Sequence, residues 1–277
     1  PQGRESFHMT LNVAIAGLGA IGLRLASMLD QGLVDGVTLS AVSANDLERA
    51  GQRVAGLSNT PKVVALRELP GHADVIVECA PARVFAEIAG PTVAQGRIFM
   101  PLSVGALLDH LDLAEEARQT GARIIVPTGA LIGLDTVRAM AVGEIHEVRL
   151  ETRKPPAGLE GAPYLVENEI DISNLTEAKR VFAGNARAAA KAFPANVNVA
   201  AALALAGIGP DLTQVEVWAD PAVNRNHQTV TIRSDSGEAQ MTIANIPSAE
   251  NPRTGRIVAQ SVIAALRRLT SPLIAGS

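Results

Sequence analysis

Hydrophobic residues in the first half of the chain form short runs that alternate with stretches of helical periodicity. Leu11–Ala16 is apolar and predicts a buried strand, and Leu23–Leu29 then shows a helical period. Further strands are predicted at Val37–Val42, Lys62–Leu66, Ala73–Ala80, Arg97–Leu102 and Ala122–Val126. Strands alternating with helices at this spacing are typical of βαβ units on a parallel sheet.

The pattern changes after Gly133, where strand-like runs begin to alternate apolar and polar positions. Such runs occur at His146–Thr152, Val215–Ala219, Thr229–Arg233 and Ala239–Ala244, and helices are predicted at Leu175–Phe193, Val197–Ala206 and Thr254–Leu269. Alternation of this kind favours a mostly antiparallel sheet with one covered face. Ser234–Gly237 predicts the turn of a hairpin.

These patterns predict an α/β protein with a Rossmann-type doubly wound parallel sheet and a second α/β domain with a mostly antiparallel sheet. A length of 277 residues fits two domains at about 150 residues each. We expect a dinucleotide-binding domain over residues 10–133 and a substrate and dimerisation domain over 134–251. The C-terminal helix within 252–277 is expected to pack back on the first domain.

Composition narrows the function classes. A net charge of −4 provides no basic footprint for nucleic acid or an anionic membrane, and no apolar run approaches a membrane span. The one cysteine, Cys79, excludes an internal disulfide and a cysteine-rich zinc site. The first nine residues lack the apolar core of a signal peptide. We therefore expect a cytoplasmic protein without a metal site.

The segment Gly17–Gly22 has the spacing Gly-x-Gly-x-x-Gly between a predicted strand and a predicted helix. Gly17 would permit the tight turn, Gly19 would let the backbone approach a pyrophosphate, and Gly22 would let the helix pack closely. The helix start, which contains Ala20 and Ile21, offers free N–H donors to an anion. This motif predicts a dinucleotide coenzyme; the alternative is a glycine turn without a ligand.

The end of the second strand does not distinguish an NAD site from an NADP site. An NAD site usually has an acidic residue there, whereas Ser43 and Asn45 are neutral and Asp46 falls late, where it could equally cap a helix. The predicted coenzyme is therefore NAD or NADP. Later strand ends contain small residues that suit a nicotinamide ribose, of which Ala80 is the candidate contact; tight turns are the alternative explanation.

Histidine is the best general acid or base near neutral pH. Of the five histidines, His227 differs because it lies in a polar segment, Ala219–His227, predicted as an irregular loop between two strands. The alternative is a solvated loop histidine. Lys154 and Arg225 are candidates for binding a substrate carboxylate, although a solvated basic loop would look the same.

With these residues in view, the chain resembles the L-aspartate dehydrogenase family along nearly its whole length. The segments that carry the resemblance are Gly17–Gly22, Ser103–Leu107, Gly129–Asp135, Arg153–Pro156, Phe193–Ala200, Ala219–His227 and Asn251–Thr254. The resemblance implies that His227 is catalytic, that Ala130 and Asn196 contact the coenzyme, and that Asn198 lies nearby. It also implies a homodimer.

The implied reaction is reversible: L-aspartate, water and NAD(P)+ give oxaloacetate, ammonia and NAD(P)H through iminoaspartate, which can supply NAD biosynthesis. Two alternatives stay open. One is another Rossmann oxidoreductase of amino-acid metabolism, similar to homoserine dehydrogenase or dihydrodipicolinate reductase. The other is a sensor that binds NAD(P) without turnover.

Overall fold

The computed structural model describes residues 10–193, 198–248 and 254–276. This chain divides into two compact units. The first contains residues 10–103, 110–127 and 259–274, and the second contains 104–109, 128–258 and the end of the chain.

The first unit is built on a six-stranded sheet in which every strand pair is parallel. Its strands are β1 (Leu11–Ala16), β2 (Val37–Ser43), β3 (Lys62–Val63), β4 (Val75–Glu78), β5 (Ile98–Pro101) and β6 (Arg123–Ile124). Their order is β3-β2-β1-β4-β5-β6. The order reverses between β1 and β4, which is where an open parallel sheet forms a ligand crevice outside its strand ends. The predicted doubly wound Rossmann sheet is thus confirmed.

Helices connect these strands because each intervening segment has one apolar face. The α-helices of the described residues are α1 (Ala20–Asp30), α2 (Leu47–Val54), α3 (Phe85–Ala94), α4 (Val104–Leu107), α5 (Leu113–Thr120), α6 (Leu134–Met140), α7 (Pro163–Glu167), α8 (Ala186–Ala192), α9 (Asn198–Ala206) and α10 (Ile257–Thr270). Short 3-10 helices occupy Leu66–Gly71, Ala82–Val84 and Pro156–Gly158. Val262 and Leu266 of α10 are fully buried in one core with Val13 and Ile15 of β1.

The second unit contains a five-stranded sheet. Its strands are β7 (Ile145–Lys154), β8 (Lys179–Asn185), β9 (Gln214–Ala219), β10 (His227–Ser234) and β11 (Gly237–Ala244), in the order β11-β10-β7-β9-β8. Only β7 and β9 pair in parallel, so the sheet is mostly antiparallel, as predicted. Ser234 pairs with Gly237, which confirms the hairpin turn. Buried aliphatic side chains such as Leu150, Val217 and Val230 form the core under this sheet.

The predicted helix Leu175–Phe193 is wrong over its first half. Lys179–Asn185 is strand β8, which pairs antiparallel with β9. The helix α8 begins only at Ala186, because the Asn185 side chain accepts a hydrogen bond from the Ala188 backbone N–H (2.8 Å) and caps it. The segment before Asn185 is therefore a strand paired with β9, and only the alanine-rich run that follows is helical.

Smaller differences concern element ends and short helices. The strands β3 and β6 are shorter than predicted, and the helices α4, α6 and α7 were not predicted. His227 does not lie in an irregular loop, because it is the first residue of β10 and pairs with Arg153 and Ala244. The polar segment before it thus ends one residue earlier than predicted.

Candidate functional site

The glycine loop, residues Gly17–Gly22, follows β1 and leads into α1. Gly17 has a φ of +100°, and a Cβ there would lie 2.7 Å from the Cys79 carbonyl oxygen. A Cβ on Gly22 would overlap the Gly17 carbonyl oxygen. The turn and the close approach of α1 therefore require glycine at both positions.

Gly19 is different, because the protein itself gives no reason for a glycine there. Its φ of −73° suits any residue, and a Cβ would meet nothing within 4 Å among the described residues. Gly19 is the N-cap of α1, and no described side chain caps this helix. The first-turn N–H groups of Ala20, Ile21 and Gly22 have no intrahelical acceptors. This open helix start fits the pyrophosphate of a dinucleotide.

The end of β2 contains groups compatible with either coenzyme. Asp46 caps α2 by accepting a hydrogen bond from the Arg49 backbone N–H (2.9 Å), so its carboxylate has a structural task. Arg53 donates to the Leu18 carbonyl oxygen within the glycine loop (2.6 Å). Its guanidinium therefore adds positive charge beside the loop.

The ends of β4 and β5 are joined by a buried carboxylate that the sequence analysis missed. Glu78 accepts hydrogen bonds from the backbone N–H groups of Ala80 (2.8 Å) and Ser103 (2.9 Å). Burial raises the pKa of Glu78, and the bonds from Ser103 oppose that rise. Burial also raises the pKa of the adjacent Cys79 thiol well above its ordinary value, so this thiol is not activated as a nucleophile. The available signal was a glutamate inside an apolar strand.

In the second unit, the register of β7 and β10 determines which candidate groups lie together. His227 lies opposite Arg153, and directly paired residues share a face of the sheet. Lys154 is the next residue of β7, so its side chain lies on the other face. His227 is half-buried at the strand start. The structure therefore places His227 beside Arg153 and not beside Lys154.

Lys154 is the last residue of β7, and only 5% of its surface is exposed. Burial lowers its pKa to about 8, because the charged ammonium loses hydration. On the same buried face, the Thr152 hydroxyl donates to the Gln228 side chain (2.6 Å). Lys154 thus titrates closer to neutral pH than an ordinary lysine.

Arg153 already binds two carboxylates. Its Nε lies 2.7 Å from Glu151 Oε1, its Nη1 lies 3.1 Å from Asp220 Oδ2, and its guanidinium stacks 4.8 Å from the Trp218 ring centroid. Asp220 also accepts from the Ala222 backbone N–H (2.9 Å), which anchors the start of the segment leading to His227. Arg153 therefore organises this segment.

Asn245 is the second residue that the sequence analysis missed. It follows β11, and 5% of its surface is exposed. Its Nδ2 donates to the Ala130 carbonyl oxygen (2.9 Å), and its backbone N–H donates to the Asn226 carbonyl oxygen (2.8 Å). Its buried Oδ1 has no hydrogen-bond partner among the described residues. Asn245 thus connects Ala130 with the residue that precedes His227.

The remaining predicted site residues are less informative. The Asn198 Oδ1 accepts a hydrogen bond from the Gly105 backbone N–H (3.0 Å), which gives this side chain an anchoring role. Arg225 is exposed in the turn before β10. Asn196 lies outside the described residues.

The described residues show neither a cluster of metal ligands nor a membrane-spanning helix. Across residues 10–193, 198–248 and 254–276, no three His, Cys, Asp or Glu side chains group as metal ligands would. Over the same part of the chain, no helix combines the length and apolar character needed to cross a membrane.

The parallel sheet with its reversal beside an open glycine loop defines a Rossmann-type dinucleotide-binding protein. Residues 17–127 match the family model described as the NAD-binding domain of homoserine dehydrogenase. Residues 135–269 match the model described as the C-terminal domain of aspartate dehydrogenase.

The chain belongs to the L-aspartate dehydrogenase family. It is 53% identical to L-aspartate dehydrogenase 3 of Bordetella bronchiseptica over 96% of this chain and 98% of that protein. It is 52% identical to the L-aspartate dehydrogenase of Bradyrhizobium diazoefficiens over 96% of this chain and 94% of that protein. The solved aspartate dehydrogenase of Thermotoga maritima matches with a TM-score of 0.75 at 27% identity, covering 96% of this chain and 99% of that one. The predicted family and the NAD or NADP coenzyme are confirmed.

Proposed function

We propose that this protein is an NAD(P)-dependent L-aspartate dehydrogenase. It converts L-aspartate, water and NAD(P)+ to oxaloacetate, ammonium and NAD(P)H with release of a proton, and it also runs in reverse. The observation that supports this most is the similarity to L-aspartate dehydrogenases along 96% of the chain. The intermediate iminoaspartate can also leave the enzyme for NAD biosynthesis.

His227 is proposed as the general acid and base. Bound NAD(P)+ supplies the hydride acceptor. The substrate ammonium must lose a proton before hydride leaves C2, and the water that then adds to C2 must lose another. Neutral His227 can accept such protons, and protonated His227 serves the reverse direction. Its half-buried position at the start of β10 supports this role, because strand pairing on both sides holds its backbone in place.

The proposed coenzyme contacts include backbone groups and small residues. They are Gly17, Gly19, Ala20, Ile21, Gly22, Ala80, Ala130 and Asn196. The open space at Gly19 and the fixed carbonyl of Ala130 support this assignment.

Substrate binding is proposed for Lys154, Asn198 and Arg225. Below pH 8 the side-chain amine of Lys154 is mostly protonated, and the resulting ammonium can attract a substrate carboxylate. Because Lys154 lies on the face of the sheet opposite His227, we assign the two side chains to different groups of the substrate.

Residues 10–133 and 252–277 are proposed to form the coenzyme domain, and 134–251 the substrate and dimerisation domain. We also propose a cytoplasmic homodimer that acts without nucleic acid or membrane partners. Light scattering coupled to gel filtration tests the dimer, with a mass near twice 28.8 kDa expected.

NADH oxidation by oxaloacetate, with and without ammonium, tests the proposed reaction. Turnover should require ammonium, and homoserine with NAD(P)+ should give no comparable rate. Homoserine is the relevant control because residues 17–127 match the coenzyme domain named for homoserine dehydrogenase. Coenzyme binding without turnover of either substrate would favour the sensor.

A further inference from the structure

Glu78 is a carboxylate inside the most apolar part of the first unit. It ends β4 after the buried residues Val75, Ile76 and Val77, and 0% of its own surface is exposed. Burying a carboxylate is costly unless hydrogen bonds replace its hydration. A side chain of this kind therefore has a specific task at its position.

The hydrogen bonds of Glu78 show which atoms it holds. Oε1 accepts from the Ala80 N–H (2.8 Å) and Oε2 accepts from the Ser103 N–H (2.9 Å). The Ser103 hydroxyl lies 3.1 Å from Oε1 and 3.2 Å from the Ala80 carbonyl oxygen. Both carboxylate oxygens thus accept from backbone donors. A glutamine amide has one acceptor oxygen and one donor NH₂, so it could satisfy only one of these N–H groups.

The two segments held by Glu78 follow adjacent parallel strands, β4 and β5, at the carboxyl edge of the sheet. The strand β4 lies next to β1, where the strand order reverses, and the Cys79 N–H donates to the Ala16 carbonyl oxygen (2.7 Å) just before the glycine loop. This edge is where a dinucleotide binds in a doubly wound sheet.

We propose that Glu78 is a positioning residue for the coenzyme, which fixes the main chain of Ala80 and Ser103 at the coenzyme-binding edge. Alanine can contact a ligand mainly through its backbone and one methyl group, so its contribution depends on an accurately placed main chain. Glu78 supplies that placement from beneath the edge. The proposal rests on the proposed role of Ala80 in coenzyme binding.

The test compares Glu78→Gln with Asp74→Asn. Asp74 precedes the same strand at its amino end, where it accepts from the Asn12 N–H (2.9 Å) and pairs with Arg97 (3.4 Å). Both substitutions replace a carboxylate that accepts a backbone N–H, but only Glu78 lies at the carboxyl edge. The measurements are the Kd of NADH by fluorescence titration, steady-state KM values, and thermal unfolding without coenzyme.

Glu78→Gln should weaken NADH binding about tenfold or more and raise the KM of NADH, with the KM of oxaloacetate changed less than about twofold. Asp74→Asn should leave the Kd of NADH within about twofold of wild type, whatever its melting temperature. If Glu78→Gln does not fold, Glu78→Asp keeps the charge but is one CH₂ too short to hold both N–H groups. It should weaken NADH binding in the same direction.

An unchanged Kd in a folded Glu78 variant would overturn the proposal, and so would an equal loss of affinity in Asp74→Asn. The variant Gly19→Val separates this proposal from the coenzyme site itself. If Gly19→Val loses NADH and the Glu78 variants do not, the site stands and the role of Glu78 is wrong. If Gly19→Val keeps NADH, the site is wrong and the proposal falls with it.

Discussion

Gly19→Val should separate coenzyme binding from folding. The φ of Gly19 is −73°, and a Cβ there would meet nothing within 4 Å among the described residues. The substitution therefore destabilises the fold only because valine is a poorer N-cap residue than glycine, which costs about 1 kcal/mol or less. In a domain of this size, that amounts to a melting-temperature shift of roughly 2–4 °C.

Coenzyme affinity should respond far more strongly. The valine side chain would occupy the place of the pyrophosphate and separate it from the N–H groups at the start of α1. Loss of two charge-assisted hydrogen bonds at roughly 1.5–3 kcal/mol each gives about 3–6 kcal/mol. This corresponds to a Kd for NADH weakened by about two to four orders of magnitude.

The assay is fluorescence titration with NADH alongside thermal unfolding. Substitutions at two other glycines are compared with Gly19→Val. Gly22→Ala should destabilise the fold itself, because its Cβ would overlap the Gly17 carbonyl oxygen. Gly56→Val is the matched control, since a Cβ there also meets nothing within 4 Å among the described residues. A folded Gly19→Val protein with wild-type NADH affinity would refute the reasoning.

Three further predictions concern the reaction, the coenzyme and pH. His227→Ala should lower turnover by about two to four orders of magnitude with little change in NADH affinity, and Asn226→Ala should be milder; near-normal turnover with aspartate would exclude His227 as the base. NADP+ and NAD+ should differ in kcat/KM by less than roughly a thousandfold, because Asp46 caps a helix, and a larger ratio would contradict this. The lowered pKa of Lys154, about 8, means that the unfolded chain binds more protons between about pH 8 and 10.5. The free energy of unfolding should therefore rise with pH across that window, by at most about 3 kcal/mol, and Lys154→Met should remove that rise in denaturant titrations.

The architecture of the first unit could be predicted because its signals are local. Buried parallel strands are short apolar runs, and the glycine spacing identifies the turn without any knowledge of distant contacts. The error at Lys179–Asn185 arose because the prediction extended the helix of the alanine-rich run Ala186–Ala192 backwards over this segment. The segment pairs with Gln214–Ala219 as a strand, and no periodicity within it encodes that partner.

The candidate site could be predicted from the sequence only where a residue type or motif indicates its chemistry. His227 was proposed from the sequence because it is a histidine in a polar segment, but its position at the start of β10 was not predicted. Glu78 and Asn245 were missed because their partners are remote in sequence. Ser103 lies 25 positions from Glu78, and Ala130 lies 115 positions from Asn245.

Each of these two missed residues holds the backbone of an alanine that we propose as a coenzyme contact. Ala80 and Ala130 have no polar side chain, so whatever they contribute to coenzyme binding depends on where their backbone N–H and C=O groups lie. Glu78 fixes the first through a carboxylate, and Asn245 fixes the second through an amide. A hydrogen bond weakens when its geometry is distorted, so the polar side chains that place a contacting backbone contribute to affinity through it. Substitutions at such residues should therefore lower coenzyme affinity even though their own side chains need not contact the coenzyme.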